Sequence, residues 1–350
     1  MIALRFIAAL FVAGAVQAHA ADEDQVRQLL ETKSCARCDL SEADLGQKNL
    51  FQANVAGANL RDANFSGANL GNADLTGARL GGAKLAGVKL ISAKLDEVGL
   101  EKTDLTEATL TGAQMKNALL TGTQLRGAKL YDVDLEGAVF EPASLPNIES
   151  ISSAINLKSM TYHDDPTALH QLRKAFKQAG YQDQRSEITY ALMHTRRLQA
   201  GPIESSATYV LFELTSEWGL SPLRPIWLML LLIFPFALFY ADAIIHPRAA
   251  VGIWRVWDKD RICQDTGSAN PVRLEKTDSV FWNALYFSFL SSFSVSWHEI
   301  DIGAWTGRLN PNEYTLKATG WLRTLSGFQS LVSIFLLALA VLCYFGNPFE

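Results

Sequence analysis

The sequence predicts a mainly β solenoid that leads, through a helical hairpin, into an α-helical transmembrane module. Two observations predict this. From Leu40 to Leu145 an apolar residue falls on every fifth position, 22 times without a break. Beyond residue 223, three long apolar stretches follow one another. The composition agrees, since 350 residues at 49% hydrophobic suit two or three domains, one of them in a membrane.

The period of five fits neither a helix at 3.6 nor a strand at 2. A Leu-rich helix fails too, because period five would smear leucine around its whole surface. Two residues before each large residue sits a small one, and 15 of these 22 are Ala. Cys, Val or Thr fill most of the rest, and only Lys48 is large and charged. The position between the two is usually polar, as in Ala43-Asp44-Leu45 and Ala58-Asn59-Leu60. One large and one small inward residue per unit suit one face of a solenoid, with the large residue filling the axis.

This A(D/N)LXX pattern resembles the pentapeptide-repeat family. The resemblance implies a right-handed quadrilateral β-helix with four pentapeptides per coil. Residues 38–147 would then form five to six coils, and at strand spacing the rod would be about 26 Å long. Some members of that family mimic DNA with a strongly acidic rod. Here Leu40 to Leu145 holds 13 Asp/Glu against 10 Lys/Arg, and the whole chain carries a net charge of −5. That balance gives an ordinary solvated face and no attraction to nucleic acid.

The flanking segments follow in order. Residues 1–20 read as a secretory signal peptide: Arg5 is the basic residue, Phe6 to Val16 is apolar, and Ala18-His19-Ala20 suits cleavage. Export would place the repeats in the periplasm of a bacterium, anchored at the inner membrane. Residues 21–37 hold a short amphipathic helix with Val26, Leu29 and Leu30 on one face, suited to capping the first coil. Cys35 and Cys38 form a CxxC that no His follows and no second CxxC accompanies. Both fall on inward slots, so they read as core of the first coil, with a structural disulfide open in an oxidising compartment.

Residues 148–165 lose the period and read as a linker. In His163-Asp164-Asp165 a metal reading competes with a simpler one, in which Asp165 caps a helix that Pro166 begins. Residues 166–222 read as a helical hairpin and juxtamembrane segment. Leu169, Leu172 and Phe176 lie on its first helix, Ala179-Gly180-Tyr181 make the turn, and Ile188, Leu192 and Leu198 lie on its second. His170 and His194 lack partners at ligand spacing and read as packing or surface residues.

Residues 223–350 hold the apolar stretches. Pro225 to Ile245 and Leu325 to Phe345 are long enough to span a bilayer. Ser279 to Trp297 is uncharged but holds six Ser and one Asn. Its end, Ser294-Val295-Ser296-Trp297-His298-Glu299, looks like the pore loop of two-span potassium channels. The order of span, loop and span matches as well. Laid on the family's TVGYG-Asp filter, Ser294 falls on Thr, Val295 on Val, Trp297 on Tyr and Glu299 on Asp. Ser296 and His298 fall on the two glycines, whose freedom shapes the carbonyl-lined filter. The resemblance therefore implies a degenerate, non-selective channel-like module. Its 19 uncharged residues can just cross the core, so three spans are expected, with two spans and a re-entrant loop as the alternative. Residues 246–280 hold six Lys/Arg, whereas the twenty before the first span hold only Arg224. The positive-inside rule then puts this loop in the cytoplasm and the repeats outside.

Signatures such as GxSxG, a P-loop, GxGxxG and HExxH are absent, so no enzymatic role is expected, nor any cofactor. The expected partners are membrane lipid and a protein bound through the solenoid, with homo-oligomerisation open. The competing reading is an oligomeric ion-conducting pore.

Overall fold

The computed structural model describes residues 23–246, 251–257, 272–274, 279–293, 296–297, 300–301 and 314–345. The expected signal peptide lies outside the described residues. The chain divides into two units, Met1–Gln199 and Ala200–Glu350.

In the first unit each five-residue segment makes one turn and one bridge. The N–H of Ala43 donates to the Leu40 carbonyl at 3.2 Å, closing a tight turn. The second turn residue is left-handed throughout the regular coils, as at Glu42 (φ +61°) and Gly57 (φ +66°). That is why glycine recurs there. An Asp or Asn just before the large residue braces the turn that follows. Asp44 Oδ1 accepts from the Gly46 N–H at 3.2 Å, and Asn54 Oδ1 from the Ala56 N–H at 3.1 Å. Such side chains satisfy a turn amide that the ladder cannot reach.

The ladder itself runs along the axis. The Leu40 N–H donates to the Asn59 carbonyl and the Asn59 N–H to the Cys38 carbonyl, at 2.8 and 2.9 Å. Parallel bridges join residues twenty apart from Ser34↔Asn54 to Gln124↔Ser144, so four pentapeptides complete a coil. The interior is Leu, Ala and occasional Phe, Val and Met, nearly all fully buried. Thr103 and Thr123 take small-residue slots, and their hydroxyls donate to the Leu80 and Leu100 carbonyls at 2.9 and 2.8 Å. Lys48, the misfit in the pattern, turns outward.

Both ends are closed. Helix α1 (Glu23–Thr32) buries Leu29 against the first coil, and Val26 and Leu30 pack beside it. Cys35 and Cys38 are disulfide-bonded, with Cys35 buried and Cys38 partly so. At the other end the structure corrects the expected linker. Helix α2 (Ile148–Ile151) and a 3-10 turn at Leu157–Ser159 belong to one more, irregular coil, and the bridges Asp134↔Ile155 and Val139↔Thr161 continue the ladder. Ile151, Leu157 and Met160 are buried in it. Its longer steps are what erase the period of five from the sequence. Helices α3 (Thr167–Ala179) and α4 (Gln182–Gln199) then form the hairpin, turning at Gly180 (φ +85°). Leu169, Leu172, Phe176, Ile188 and Leu192 join the solenoid core.

The second unit opens with α5 (Pro202–Thr208), a π-helical turn (Tyr209–Glu213) and α6 (Leu214–Ser216). Helix α7 (Arg224–Ile245) carries Pro235 inside it and leads to strand β1 (Gly252–Trp257). Strand β2 (Val272–Arg273) precedes α8 (Val280–Phe293), and β3 (Ser296–Trp297) with β4 (Ile300–Asp301) follows it. Strand β5 (Tyr314–Thr319) leads into α9 (Trp321–Phe345).

Strand pairing fixes how the helices run. The sheet order is β2-β1-β5, with β1 antiparallel to both neighbours and Gly252 opposite Thr319. Since β1 follows α7 and β5 precedes α9, those two helices share an end and run antiparallel. Since β2 precedes α8, the α8 segment leaves that same end, and by β5 the chain has returned to it. Helix α8 descends along α7, with Phe287 edge-on to Tyr240 and Ser288 bonded to Ile233. At 1.5 Å per residue α8 is about 21 Å long, against a hydrocarbon core of about 30 Å. Helix α8 alone is therefore shorter than such a core, and the segment leaves the sheet end of the helix pair and is back at that end by β5. Helices α7 and α9 are long and apolar enough to cross a membrane.

Candidate functional site

Three places in the described residues gather polar groups. The most enclosed lies where α8 meets α7 and α9. Gln329, on α9, is buried. Its Nε2 amide reaches Ser288 Oγ at 2.9 Å and Ser292 Oγ at 2.8 Å, and its Oε1 accepts from the Tyr240 hydroxyl at 2.9 Å. Ser288 Oγ in turn donates to the Ile233 carbonyl of α7 at 2.7 Å. A second contact, Ser326 to Ser291 at 2.9 Å, joins α9 to α8 one turn away. One carboxamide and one phenol thus tie three helices together, and the carboxamide has a partner at both ends of its dipole. The network is built from hydroxyls and one amide, with no carboxyl, imidazole, amine or thiol among them, so what it does is fix the helices.

The serines stand out in the sequence as an oddly polar apolar stretch. Gln329 and Tyr240 give no such signal, although Gln329 is the one carboxamide in the apolar run of α9.

The pore-loop residues follow α8. The backbone of Ser296–Trp297 pairs antiparallel with Ile300–Asp301, Trp297 opposite Ile300. Ser294, Val295, His298 and Glu299 lie outside the described residues.

The second place is where the solenoid meets its hairpin. Glu141 Oε1 accepts from three successive backbone N–H groups, those of His163, Asp164 and Asp165, at 2.8, 2.8 and 3.0 Å. Burial pushes the Glu141 carboxyl up, but the amides of Asp165, Asp164 and His163 and the Thr121 hydroxyl outweigh it and hold the acid below its usual range. Asp165 Oδ1 then accepts from the Thr167 N–H at 2.9 Å; α3 begins at Thr167 with Pro166 in the cap position, one residue later than expected. The His163-Asp164-Asp165 triplet is thus held by its amides, and among the described residues no three His, Cys, Asp or Glu converge as metal ligands. His170 stands exposed on α3, and His194 stacks on Tyr190 at 5.5 Å.

The third is a groove of about 630 Å³ on the solenoid surface. Gly77, Gly81, Gly82 and Gly99 form its floor, and Arg61, Arg79, Glu97 and Glu101 stand around it. At Gly82 (φ +74°) an added Cβ would run into the Asp62 carboxylate, so the floor there stays bare. The groove offers both signs of charge over exposed backbone. Elsewhere the faces carry stacked polar rows, such as Asn59 on Asp39 and Asn64 on Asp44 at 2.9 and 2.8 Å.

Comparison with known proteins bears on the solenoid. The model of the pentapeptide-repeat family matches eight copies over residues 38–82, 83–122 and 103–141. Among solved structures, the chain is similar to the pentapeptide repeat protein Rfr23 of the cyanobacterium Cyanothece. Identity there is 24%, over 36% of this chain and 99% of that one, with a TM-score of 0.34. A pentapeptide repeat protein of the Arabidopsis thaliana thylakoid lumen is 30% identical over 31% of this chain and 69% of its own, with a TM-score of 0.23. HetL of the cyanobacterium Nostoc, described as involved in heterocyst differentiation regulation, is 23% identical over 41% of this chain and 67% of its own, with a TM-score of 0.19. No curated protein sequence matches the chain. The family match and the ladder of bridges twenty residues apart agree on the same stretch, and through residues 38–141 the chain belongs to the pentapeptide-repeat family.

Proposed function

We propose that this protein is a membrane-tethered scaffold that presents its solenoid outside the cytoplasm to a protein partner. The observation that carries the reading is the pairing of two unlike units in one chain. One is a rod whose side chains are spent inside on packing and outside on regular polar rows. The other is a pair of long apolar helices with most of their surface open. A solenoid's repeating faces suit extended protein contacts, and the glycine-floored groove is the natural place for one.

Three features support the tether and its orientation. The exposed flanks of α7 and α9 are apolar through their middles, at Leu231, Phe234, Leu238 and Leu331. Exposed aromatics gather near both ends: Trp227, Tyr344 and Phe345 at one, Phe281, Trp282 and Trp321 at the other. Aromatic side chains favour the two interfaces of a bilayer in this way. Third, the Cys35–Cys38 bond suits an oxidising compartment, which agrees with the expected export signal and with repeats lying opposite a cytoplasmic basic loop after α7.

The test is capture of partners from membranes by cross-linking the intact protein, compared with an Arg79→Glu, Glu101→Arg double variant. A cross-linked partner retained by the native chain and lost from the variant supports the scaffold. The same partners with both proteins removes the groove from the reading. A reporter active only in the periplasm, fused after residue 200, should be active. A silent reporter, with a cytoplasmic one active at that point, overturns the orientation.

A channel-like pore is the second reading, favoured by the α8 segment leaving one end of the helix pair and being back at that end by β5. A degenerate loop with Ser296 and His298 at the glycine positions would not select potassium. Planar bilayers holding the purified protein should show no potassium-over-sodium preference. Selective currents abolished by His298→Ala would put the pore first.

A further inference from the structure

The stretch from the second unit's first helix, α5, up to α7 leaves large apolar side chains bare. Ile203 is 86% exposed, and Val210, Leu211 and Leu214 are exposed by about half. Counted from Ile203 these fall at steps of seven, eight and eleven, a helical spacing that the π-helical turn at Tyr209–Glu213 loosens, and the exposed Tyr209 flanks them. Scattered exposed leucines need no explanation, but a single apolar face does.

The stretch is also pinned in place. Trp218 and Ser216 are buried. The Glu217 carboxylate pairs with Arg224, the first residue of α7, at 2.8 Å, and accepts from Ser221 at 2.9 Å. Helix α6 packs against both α7 and α9. The apolar face is thereby held at the end where α7 begins and α9 finishes, level with the exposed Trp227 and Tyr344. Between residues 203 and 223 there are three Glu and no Lys or Arg. Attraction to an anionic surface cannot be what brings this face down. Apolar insertion can.

We infer that residues 203–214 form an interfacial anchor, lying in the headgroup layer of a zwitterionic leaflet where α7 enters it, with Val210, Leu211 and Leu214 in the acyl boundary. The inference rests on α7 and α9 spanning a membrane. Monotopic segments of this kind bury one apolar face to about 5–10 Å depth, and here the attachment draws on buried area alone.

The test uses the full chain in phosphatidylcholine vesicles, with Cys263→Ser and Cys343→Ser as background and a single spin label at Val210, Leu214, Glu204 or Leu231. Oxygen and a water-soluble nickel chelate report lipid and water. Labels at Val210 and Leu214 should favour oxygen, at depths shallower than Leu231, while Glu204 favours nickel. Adding phosphatidylglycerol or salt should leave the depths unchanged. Val210 and Leu214 behaving like Glu204, or shielded from both reagents, overturns the anchor while Leu231 in lipid keeps the spans. Leu231 in water overturns the membrane reading and the anchor with it.

Discussion

The two units solve the same burial problem in opposite ways. In the solenoid most backbone amides of a regular coil are paired along the axis or across the turns, and Asp or Asn side chains brace several of the turn amides that remain. The interior therefore needs few polar side chains and is filled with Leu and Ala. Polar residues line the outside. In the second unit the helices satisfy their own backbones, and it is the outside that is apolar. The polar side chains Tyr240, Ser288, Ser292 and Gln329 are drawn inward. A solvent of water accounts for the first arrangement, and the second is the one that the proposed membrane tether calls for. Hydrophobicity alone therefore does not say which way a residue faces in this chain, whereas the periodicity and the partners of each backbone group do.

The largest effect comes from exchanging the two rules. Leu90 is buried on the axis of a middle coil. Leu90→Asp strands a carboxylate there and should lower stability by more than about 4 kcal/mol, enough to abolish the β signal in circular dichroism of the first unit. An unchanged melt would mean that Leu90 points outward. The mirror substitution, Leu231→Asp on the exposed flank of α7, would be harmless on a water-soluble helix. At the centre of a membrane span it should cost about 2.5–3.5 kcal/mol and lower the amount of protein inserted into membranes. Normal insertion would remove α7 from the bilayer.

A smaller effect tests the polar core. Gln329→Leu removes the clamp and leaves the Tyr240 hydroxyl and two serines to find other partners. A loss of about 1–2 kcal/mol is expected, read as a lower melting temperature of the full chain in detergent. Gln329→Glu should be worse, since a buried acid keeps its proton or carries its charge at high cost. A clamp that tolerates Leu at no cost would show that apolar packing alone holds α8.

Much of the rod is legible in the sequence. The period of five places each inward Leu and Ala through Phe140, because a solenoid repeats its environment as its sequence repeats. The reason for Asp and Asn is not legible there: it depends on a turn amide two residues on, which only the coil's geometry brings near. The end of the rod escapes for a related cause. Residues 147–161 keep the ladder but not the period, since a short helix and a 3-10 turn lengthen the steps. The course of α8 is beyond composition altogether. Nineteen uncharged residues can cross a bilayer, and only the pairing of β1 with both β2 and β5, far apart in sequence, shows that the segment returns to the end it left. Gln329 hides in an apolar run, where one carboxamide tells nothing until its partners are known.

The smallest expected effect concerns the seam at which the rod ends. Glu141 is held below its usual range because three backbone amides favour its charged form over the cost of partial burial. The sign follows from linkage. A carboxyl depressed in the folded state contributes stability above its unfolded value, near 4.5, and loses it as pH falls through the lower folded value. Part of the side chain remains in water, so the contribution is discounted to about 1 kcal/mol. Glu141→Gln keeps an acceptor but removes the charge. At pH 7 the variant should melt a few degrees below the native first unit, and the gap should close as the pH falls through the depressed folded value. Asp165 is also depressed, by the Thr167 hydroxyl and N–H, so the Glu141→Gln protein should keep a weaker acid dependence of its own. Equal melting of the two proteins at pH 7 would mean that solvated amides serve α3 as well as the carboxylate does. A gap that persists at low pH would assign the loss to packing.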